Sequence, residues 1–193
     1  MMNTNWKKEI LTIPNLLSLF RVLLIPVYVI IYLKATLPLH YYIAGGILVI
    51  SCMTDLIDGK IARHFNMVST VGKVLDPFAD KVTQLTLIIC LAIRYRILWI
   101  IVGIFVIKEG FQTIAGLLTL RQGKMLTGSL FSGKLCTVVL FLSLILLVLL
   151  PDLDHRYVGC IAATDGIFML ISFGNYIHTY WKHGDTIQAL EQN

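Results

Sequence analysis

Six apolar stretches, each long enough to cross a bilayer, constrain this chain more than any other feature. They run roughly over Asn15–Leu33, Leu39–Lys60, Asp76–Ile93, Ile97–Leu120, Gly133–Leu150 and Tyr157–Tyr180, with lengths of 18 to 24 residues. At about 1.5 Å per residue, helices of that length cover about 30 Å of hydrocarbon. The composition agrees: 57% of the 193 residues are hydrophobic, 14% are charged, and the mean hydropathy is +0.80. Soluble domains carry about 25% charged residues, and a chain this small cannot hide so much apolar surface from water. Intrinsic disorder and a secreted disulfide scaffold are ruled out, and a soluble enzyme is strongly disfavoured. The sequence predicts an all-α, polytopic membrane protein with six transmembrane helices, forming a single domain over 1–193.

Charge sets the orientation. Trp6, Lys7, Lys8, Glu9, Ile10 and Leu11 read as a short interfacial helix within Met1–Leu11, with aromatic and basic residues at headgroup level. Ile13-Pro14-Asn15 then turns the chain into the bilayer. A signal peptide is not expected, because no small-residue cleavage site follows the first apolar run. With the N-terminus inside, nine basic residues fall on the inner face: Lys7, Lys8, Lys60, Arg63, Lys73, Arg121, Lys124, Lys134 and Lys182. Four fall outside (Lys34, Arg94, Arg96 and Arg156), and three fall within spans (Arg21, Lys81 and Lys108). The positive-inside rule therefore predicts cytoplasmic termini. The net charge of +5 is spread over the ends of apolar segments, which suits an anionic membrane or substrate better than nucleic acid. Cys52, Cys90, Cys136 and Cys160 form no CxxC pair and read as membrane-packed free thiols.

Most spans are plain; the exception begins at Asp55. Asp55 and Asp58 are spaced i, i+3, and Asp76 and Asp80 are spaced i, i+4, so each pair shares a helix face. Gly72 joins the second face if that helix starts early enough, and Pro77 suits a first helical turn. Convergence of the two faces would gather four carboxylates near the membrane surface. Unpaired, they would repel one another and be costly to desolvate. Divalent cations with a preference for oxygen, Mg²⁺ or Mn²⁺, resolve this and favour a phosphate or pyrophosphate substrate. Gly59 and Ala62 thin the helix so that a nucleotide can approach, and Arg63 can pair with phosphate. The plainer alternative is a set of helix caps and surface ion pairs.

The pattern Asp55-x2-Asp58-Gly59-x2-Ala62-Arg63-x8-Gly72-x3-Asp76-x3-Asp80 fixes eight residues over 26 positions. It resembles, without a departure, the signature of the CDP-alcohol phosphatidyltransferases. The six apolar spans fit that family too, so the resemblance covers essentially the whole chain. The resemblance implies a six-helix membrane enzyme, usually a homodimer, with a polar cavity open to the cytoplasm. It implies two divalent metals among Asp55, Asp58, Asp76 and Asp80. It places the nucleotide near Asp55, Gly59, Ala62, Arg63, Gly72 and Asp76, and makes Asp80 the candidate general base. The implied donor is CDP-diacylglycerol, with CMP as leaving group. Direct attack by the acceptor is preferred to a covalent enzyme intermediate.

For the acceptor, Ile13-Pro14-Asn15-Leu16-Leu17-Ser18-Leu19-Phe20-Arg21 and Ser69-Thr70-Val71-Gly72-Lys73 resemble bacterial phosphatidylglycerophosphate synthases, which use glycerol 3-phosphate. An anionic acceptor needs cations. The candidates are Lys81, Lys108, Arg121, Lys124 and Lys134, with Arg21 as a further one. There are departures. Lys108-Glu109 stands where those enzymes usually have Arg-Glu, Ala115-Gly116-Leu117 lacks their later basic residue, and Gly133-Lys134-Leu135-Cys136-Thr137 lacks a second lysine. Two expected pocket cations are thus missing. A cardiolipin synthase of the same superfamily, with phosphatidylglycerol as acceptor, is the leading alternative, and inositol-phosphate or serine acceptors have less support.

Asp165 is expected to face the bundle and pair with a cation, in a structural or a substrate role. His64 suits headgroups, the remaining histidines make no metal set, and Trp99, Tyr176, Tyr180 and Trp181 suit interface anchoring. A transporter would need polar groups deep in several spans, and an assembly protein would not need four converging carboxylates. A small enzyme with an inner N-terminus and no transit peptide suggests a bacterial plasma membrane.

Overall fold

The computed structural model describes the backbone over residues 13–64, 72–121 and 131–191, and side chains over 15–54, 78–116 and 131–181. Six helices follow one another: α1 (Ile13–Leu33), α2 (Pro38–His64), α3 (Gly72–Arg94), α4 (Leu98–Arg121), α5 (Phe131–Leu149) and α6 (His155–Glu191). The described residues contain no strand. Among the described residues, four stretches are long and apolar enough to cross a membrane: Asn15–Leu33, Leu98–Gly116, Phe131–Leu149 and His155–Trp181. Pro38–Thr54 is a shorter apolar stretch. The outer faces of the helices are apolar as well: Leu23, Ile100, Ile107 and Leu142 are each more than 60% exposed. That distribution suits lipid rather than water. The protein is a polytopic all-α membrane protein. The expected interfacial helix at Met1–Leu11 lies outside the described residues.

The helix bounds differ from the expected spans where α2 ends, where α3 begins and where α6 ends. α2 continues past Lys60 to His64, α3 begins at Gly72 rather than Asp76, and α6 runs on past Tyr180 to Glu191. Hydropathy marks where lipid begins, whereas backbone hydrogen bonding continues through polar residues that still favour helix. One expectation is corrected by this. Pro77 lies beyond the first turn of α3, where its missing N–H leaves the carbonyl of Lys73 without the usual i→i−4 bond.

Close contacts divide the chain into two units: Met1–Leu91 with Ile145–Asp152, and Ala92–Leu144 with Leu153–Asn193. In the first unit α1 packs on α2. Tyr28 stacks on Tyr32 with ring centroids 5.5 Å apart, and Tyr41 meets Tyr32 edge-on at 5.6 Å. Ala44, Leu48, Leu87, Ile88 and Leu91 are buried with them. Gly45 permits a close approach: a Cβ there would collide with Leu149 Cδ2 and stand 3.2 Å from its Cγ. Pro26 lies inside α1 and frees the carbonyl of Val22.

In the second unit α4 packs on α6. Ile101, Phe105, Val158, Ala162 and Met169 are buried. Phe111 meets Phe173, Tyr176 and Tyr180 edge-on at 5.4, 6.4 and 6.2 Å. Tyr176 and Tyr180 are therefore packed against a phenylalanine, not solely placed as interface anchors. Trp99 and Trp181 are exposed, as anchoring requires. Asp154 caps α6 by accepting the N–H of Arg156 at 2.9 Å.

Threonines in both units satisfy their hydroxyls within their own helix. Thr83 donates to the carbonyl of Ala79, Thr86 to Val82, Thr113 to Glu109 and Thr164 to Cys160, at 2.7–2.9 Å. These back-bonds carry hydroxyls into lipid without leaving them unmet.

Candidate active site

The backbone places all eight motif residues on two consecutive helices. Asp55, Asp58, Gly59, Ala62 and Arg63 occupy the last turns of α2, and Gly72, Asp76 and Asp80 the first turns of α3. Because α3 starts at Gly72, those three recur every four residues along one unbroken helix and form a row. The side chains of Asp55, Asp58, Arg63 and Asp76 lie outside the described residues, as does all of Lys124; Arg121 ends α4 with its side chain likewise outside.

Asp80 is described, and it is not alone. Its Oδ1 accepts a hydrogen bond from Arg21 Nη1, an ion pair that joins α1 to α3 across 59 residues of sequence. The two partners differ sharply in access: the Arg21 side chain is 3% exposed and that of Asp80 43%. Arg21 belongs to a polar stripe on α1, together with Asn15 and Ser18, and all three are buried. Their spacing, i, i+3 and i+6, puts them along one side of the helix. Arg21 also lines a narrow recess with Tyr28, Ser51, Thr83 and Thr86. Lys81, next to Asp80, is half-buried.

The second unit holds other buried polar groups. Lys108 is buried on α4 and donates from Nζ to Glu109 Oε1 at 2.7 Å. Asp165 is buried on α6 and accepts from Ser143 Oγ of α5 at 2.8 Å. Asp165 thus faces inward as expected, and its partner among the described residues is a hydroxyl rather than a cation. Ser143 already supplies a donor at that level, which answers the carboxyl without a second buried charge. Ser172 Oγ is buried and has no hydrogen-bond partner among the described residues. Lys134 is exposed. The residues proposed to hold an acceptor phosphate therefore differ in kind: Lys108 is already paired, Lys134 is open and Arg21 is committed to Asp80.

Sequence reasoning missed Asn15 and Ser18, and it offered Arg21 as a further acceptor candidate without seeing its contact with Asp80. The signal was present in the three-residue spacing of polar residues within an apolar span. Among the described residues no three His, Cys, Asp or Glu side chains come together; Asp80 is the tetrad member whose side chain is described.

The sequence profile of the CDP-alcohol phosphatidyltransferases matches residues 11–178. A cardiolipin synthase (CMP-forming) of Streptomyces coelicolor is 31% identical over 179 residues, covering 91% of this chain and 80% of that protein. A CDP-diacylglycerol–glycerol-3-phosphate 3-phosphatidyltransferase of Blochmanniella floridana is 31% identical over 104 residues, covering 52% and 53%. A cardiolipin synthase/mitochondrial hydrolase fusion protein of Schizosaccharomyces pombe is 41% identical over 90 residues, which is 46% of this chain and 14% of that one. For the last two, the match spans less than two thirds of the relative's own length. The profile, covering most of the sequence and including every residue of the two-helix acidic motif, establishes that the chain belongs to the CDP-alcohol phosphatidyltransferase family of membrane transferases.

Proposed function

We propose that the protein transfers a phosphatidyl group from CDP-diacylglycerol to sn-glycerol 3-phosphate, giving phosphatidylglycerophosphate and CMP. One observation carries the reading: Asp80 stands in a row with Gly72 and Asp76, is paired with a buried arginine, and is itself accessible. A reachable carboxylate held in place from another helix suits a base for an incoming hydroxyl.

The donor set fits a divalent metal. Asp55, Asp58, Asp76 and Asp80 offer oxygen alone, which suits Mg²⁺ or Mn²⁺. One carboxylate of that set is reachable by an incoming ion, since the Asp80 side chain is 43% exposed. When bound, such ions neutralise the pyrophosphate and the departing CMP. The chain's own groups do the rest. Gly59 and Ala62 admit the nucleotide and Arg63 pairs with its phosphate. Asp80 takes the proton of the acceptor hydroxyl. The acceptor oxygen then bonds to the phosphorus that carries diacylglycerol, and that phosphorus loses its bond to CMP. An ordinary carboxylate is a weak base for an alcohol, so position matters more than basicity. Lys81, Lys108, Arg121, Lys124 and Lys134 are the cations proposed to receive the acceptor phosphate. We place the enzyme as a homodimer in a bacterial plasma membrane, with termini and site on the cytoplasmic side.

A second reading has specific support. Ala115 is buried where an acceptor cation was expected, and Lys108 is engaged by Glu109. The relative aligned over 91% of this chain is a cardiolipin synthase. Phosphatidylglycerol as acceptor would yield cardiolipin by the same chemistry.

The test uses purified protein in detergent–lipid micelles with CDP-diacylglycerol and Mg²⁺ or Mn²⁺. Glycerol 3-phosphate and phosphatidylglycerol are offered separately, CMP release is followed, and the lipid product is identified by mass. Phosphatidylglycerophosphate formation, abolished by a chelator, is the expected result. Cardiolipin formation with glycerol 3-phosphate left untouched would establish the second reading. No CMP release with either acceptor would overturn both.

A further inference from the structure

We infer that Arg21 is a positioning residue for Asp80: its guanidinium holds the carboxylate in place, oriented toward the acceptor, and does not itself bind the acceptor's phosphate. This rests on the reading of Asp80 as the base.

The argument starts from access. A buried cation inside an apolar helix must be paired. Arg21, 3% exposed, meets that need through Asp80, while Asp80 remains 43% exposed. The cation is thus screened from an incoming ligand and the anion is not. A phosphate-binding arginine would show the opposite asymmetry, with its fork of donors turned to the accessible side. Direction matters as well. Asp80 is bonded through Oδ1 to a group on another helix, which fixes the rotamer of its carboxylate against α1. Asn15 and Ser18 lie along the same side of α1 and are buried as Arg21 is, so the arginine belongs to a buried polar face and not to the exposed surface. An arginine stem held this way transmits position because its planar fork loses little freedom in forming the bond.

Three roles for Arg21 give different kinetics. A positioning residue acts on the step in which the proton moves, so its loss lowers kcat. An acceptor ligand acts on binding, so its loss raises the acceptor KM. A purely structural residue lowers the melting temperature and leaves both constants of the surviving fold alone.

The experiment compares wild type, Arg21→Lys and Arg21→Met in detergent–lipid micelles, with CDP-diacylglycerol, Mg²⁺ and whichever acceptor wild type uses. Thermal unfolding of each is recorded alongside. The expected result for Arg21→Met is a fall in kcat of about tenfold or more, with the acceptor KM changed by less than about twofold. Arg21→Lys, which keeps the charge but not the fork, should recover part of that kcat. A raised KM with kcat restored at saturating acceptor would overturn the inference in favour of a phosphate ligand. An unchanged kcat and KM in a folded Arg21→Met would overturn it in favour of a structural role. If Arg21→Met does not fold, Arg21→Lys decides: a kcat equal to wild type overturns the inference, and a lowered kcat at unchanged KM supports it. Absence of CMP release by wild type would be a different failure, that of the proposed reaction, and would remove Asp80's role and this inference together.

Discussion

Two buried ion pairs, Arg21–Asp80 and Lys108–Glu109, show how one kind of contact can serve different ends. Lys108 and Glu109 are adjacent in sequence on one helix, and both are largely shielded, with side chains 6% and 15% exposed. Their bond fixes no helix relative to another; it makes a lysine tolerable within a membrane span. Arg21 and Asp80 come from different helices, and one end of the pair is open. That pair joins α1 to α3 and leaves a charged group accessible. Local pairs solve a solvation problem, whereas distant pairs with unequal access can also present a reactive group.

Substitutions can break that contrast, beginning with the largest effect. Asp80→Asn should reduce CMP release by about a hundred- to ten-thousand-fold, the range for loss of a general base. It should also destabilise the protein by about 3 kcal/mol, near the lower end for stranding a buried charge, because Asp80 is partly accessible. Turnover and thermal unfolding in micelles check both parts. Full activity in Asp80→Asn would show that the base is elsewhere.

Lys108→Met removes the cation that Glu109 Oε1 accepts from and should cost about 2–3 kcal/mol, while Lys108→Met with Glu109→Gln should be milder by at least about 1 kcal/mol. Strict additivity in that cycle would mean the adjacent pair is not coupled. Ser143→Ala removes the donor to Asp165 and should cost about 1–3 kcal/mol, the range for a buried polar group left unmet. An unchanged melting temperature would count against that bond. The smallest effect sharpens the view of packing in the first unit. Gly45→Ala meets Leu149 and should cost about 1 kcal/mol or slightly more. Gly46→Ala, with nothing within 4 Å of the new Cβ, should be neutral or slightly stabilising by the helix preference for alanine.

Much of this was legible in the sequence, for a physical reason. Lipid imposes its demand along a whole span, so α1, α4, α5 and α6 show as long apolar stretches and α2 as a shorter one. The acidic motif is legible too, because spacing along one helix determines which side chains share a face. Contacts between helices are not written in spacing. The Arg21–Asp80 bond depends on how α1 turns its polar side toward α3, and Ser143–Asp165 depends on the relative level of α5 and α6. The sequence suggested a cation for Asp165, where the described partner is Ser143, and it offered Arg21 as a further acceptor candidate without revealing its contact with Asp80. The start of α3 at Gly72 was likewise obscured, because Pro77 is a common sign of a first turn.

The polarity of α3 has a consequence for how the chain enters the membrane at all. Asp80 and Lys81 follow each other in that helix, and Thr83 and Gln84 are buried just beyond them. An unpartnered Asp or Lys opposes insertion by about 2.5–3.5 kcal/mol at a span's centre and by less toward its end, where Asp80 and Lys81 stand. During synthesis Arg21 emerges 59 residues before Asp80, so the counter-charge is already in place in the bilayer when α3 leaves the ribosome. The first helix then serves as a receiver for the third, and insertion proceeds in the order of translation. A reporter fused after α3 should show fewer correctly threaded chains when Arg21 is replaced by methionine, and unchanged threading would separate biogenesis from the folded-state bond.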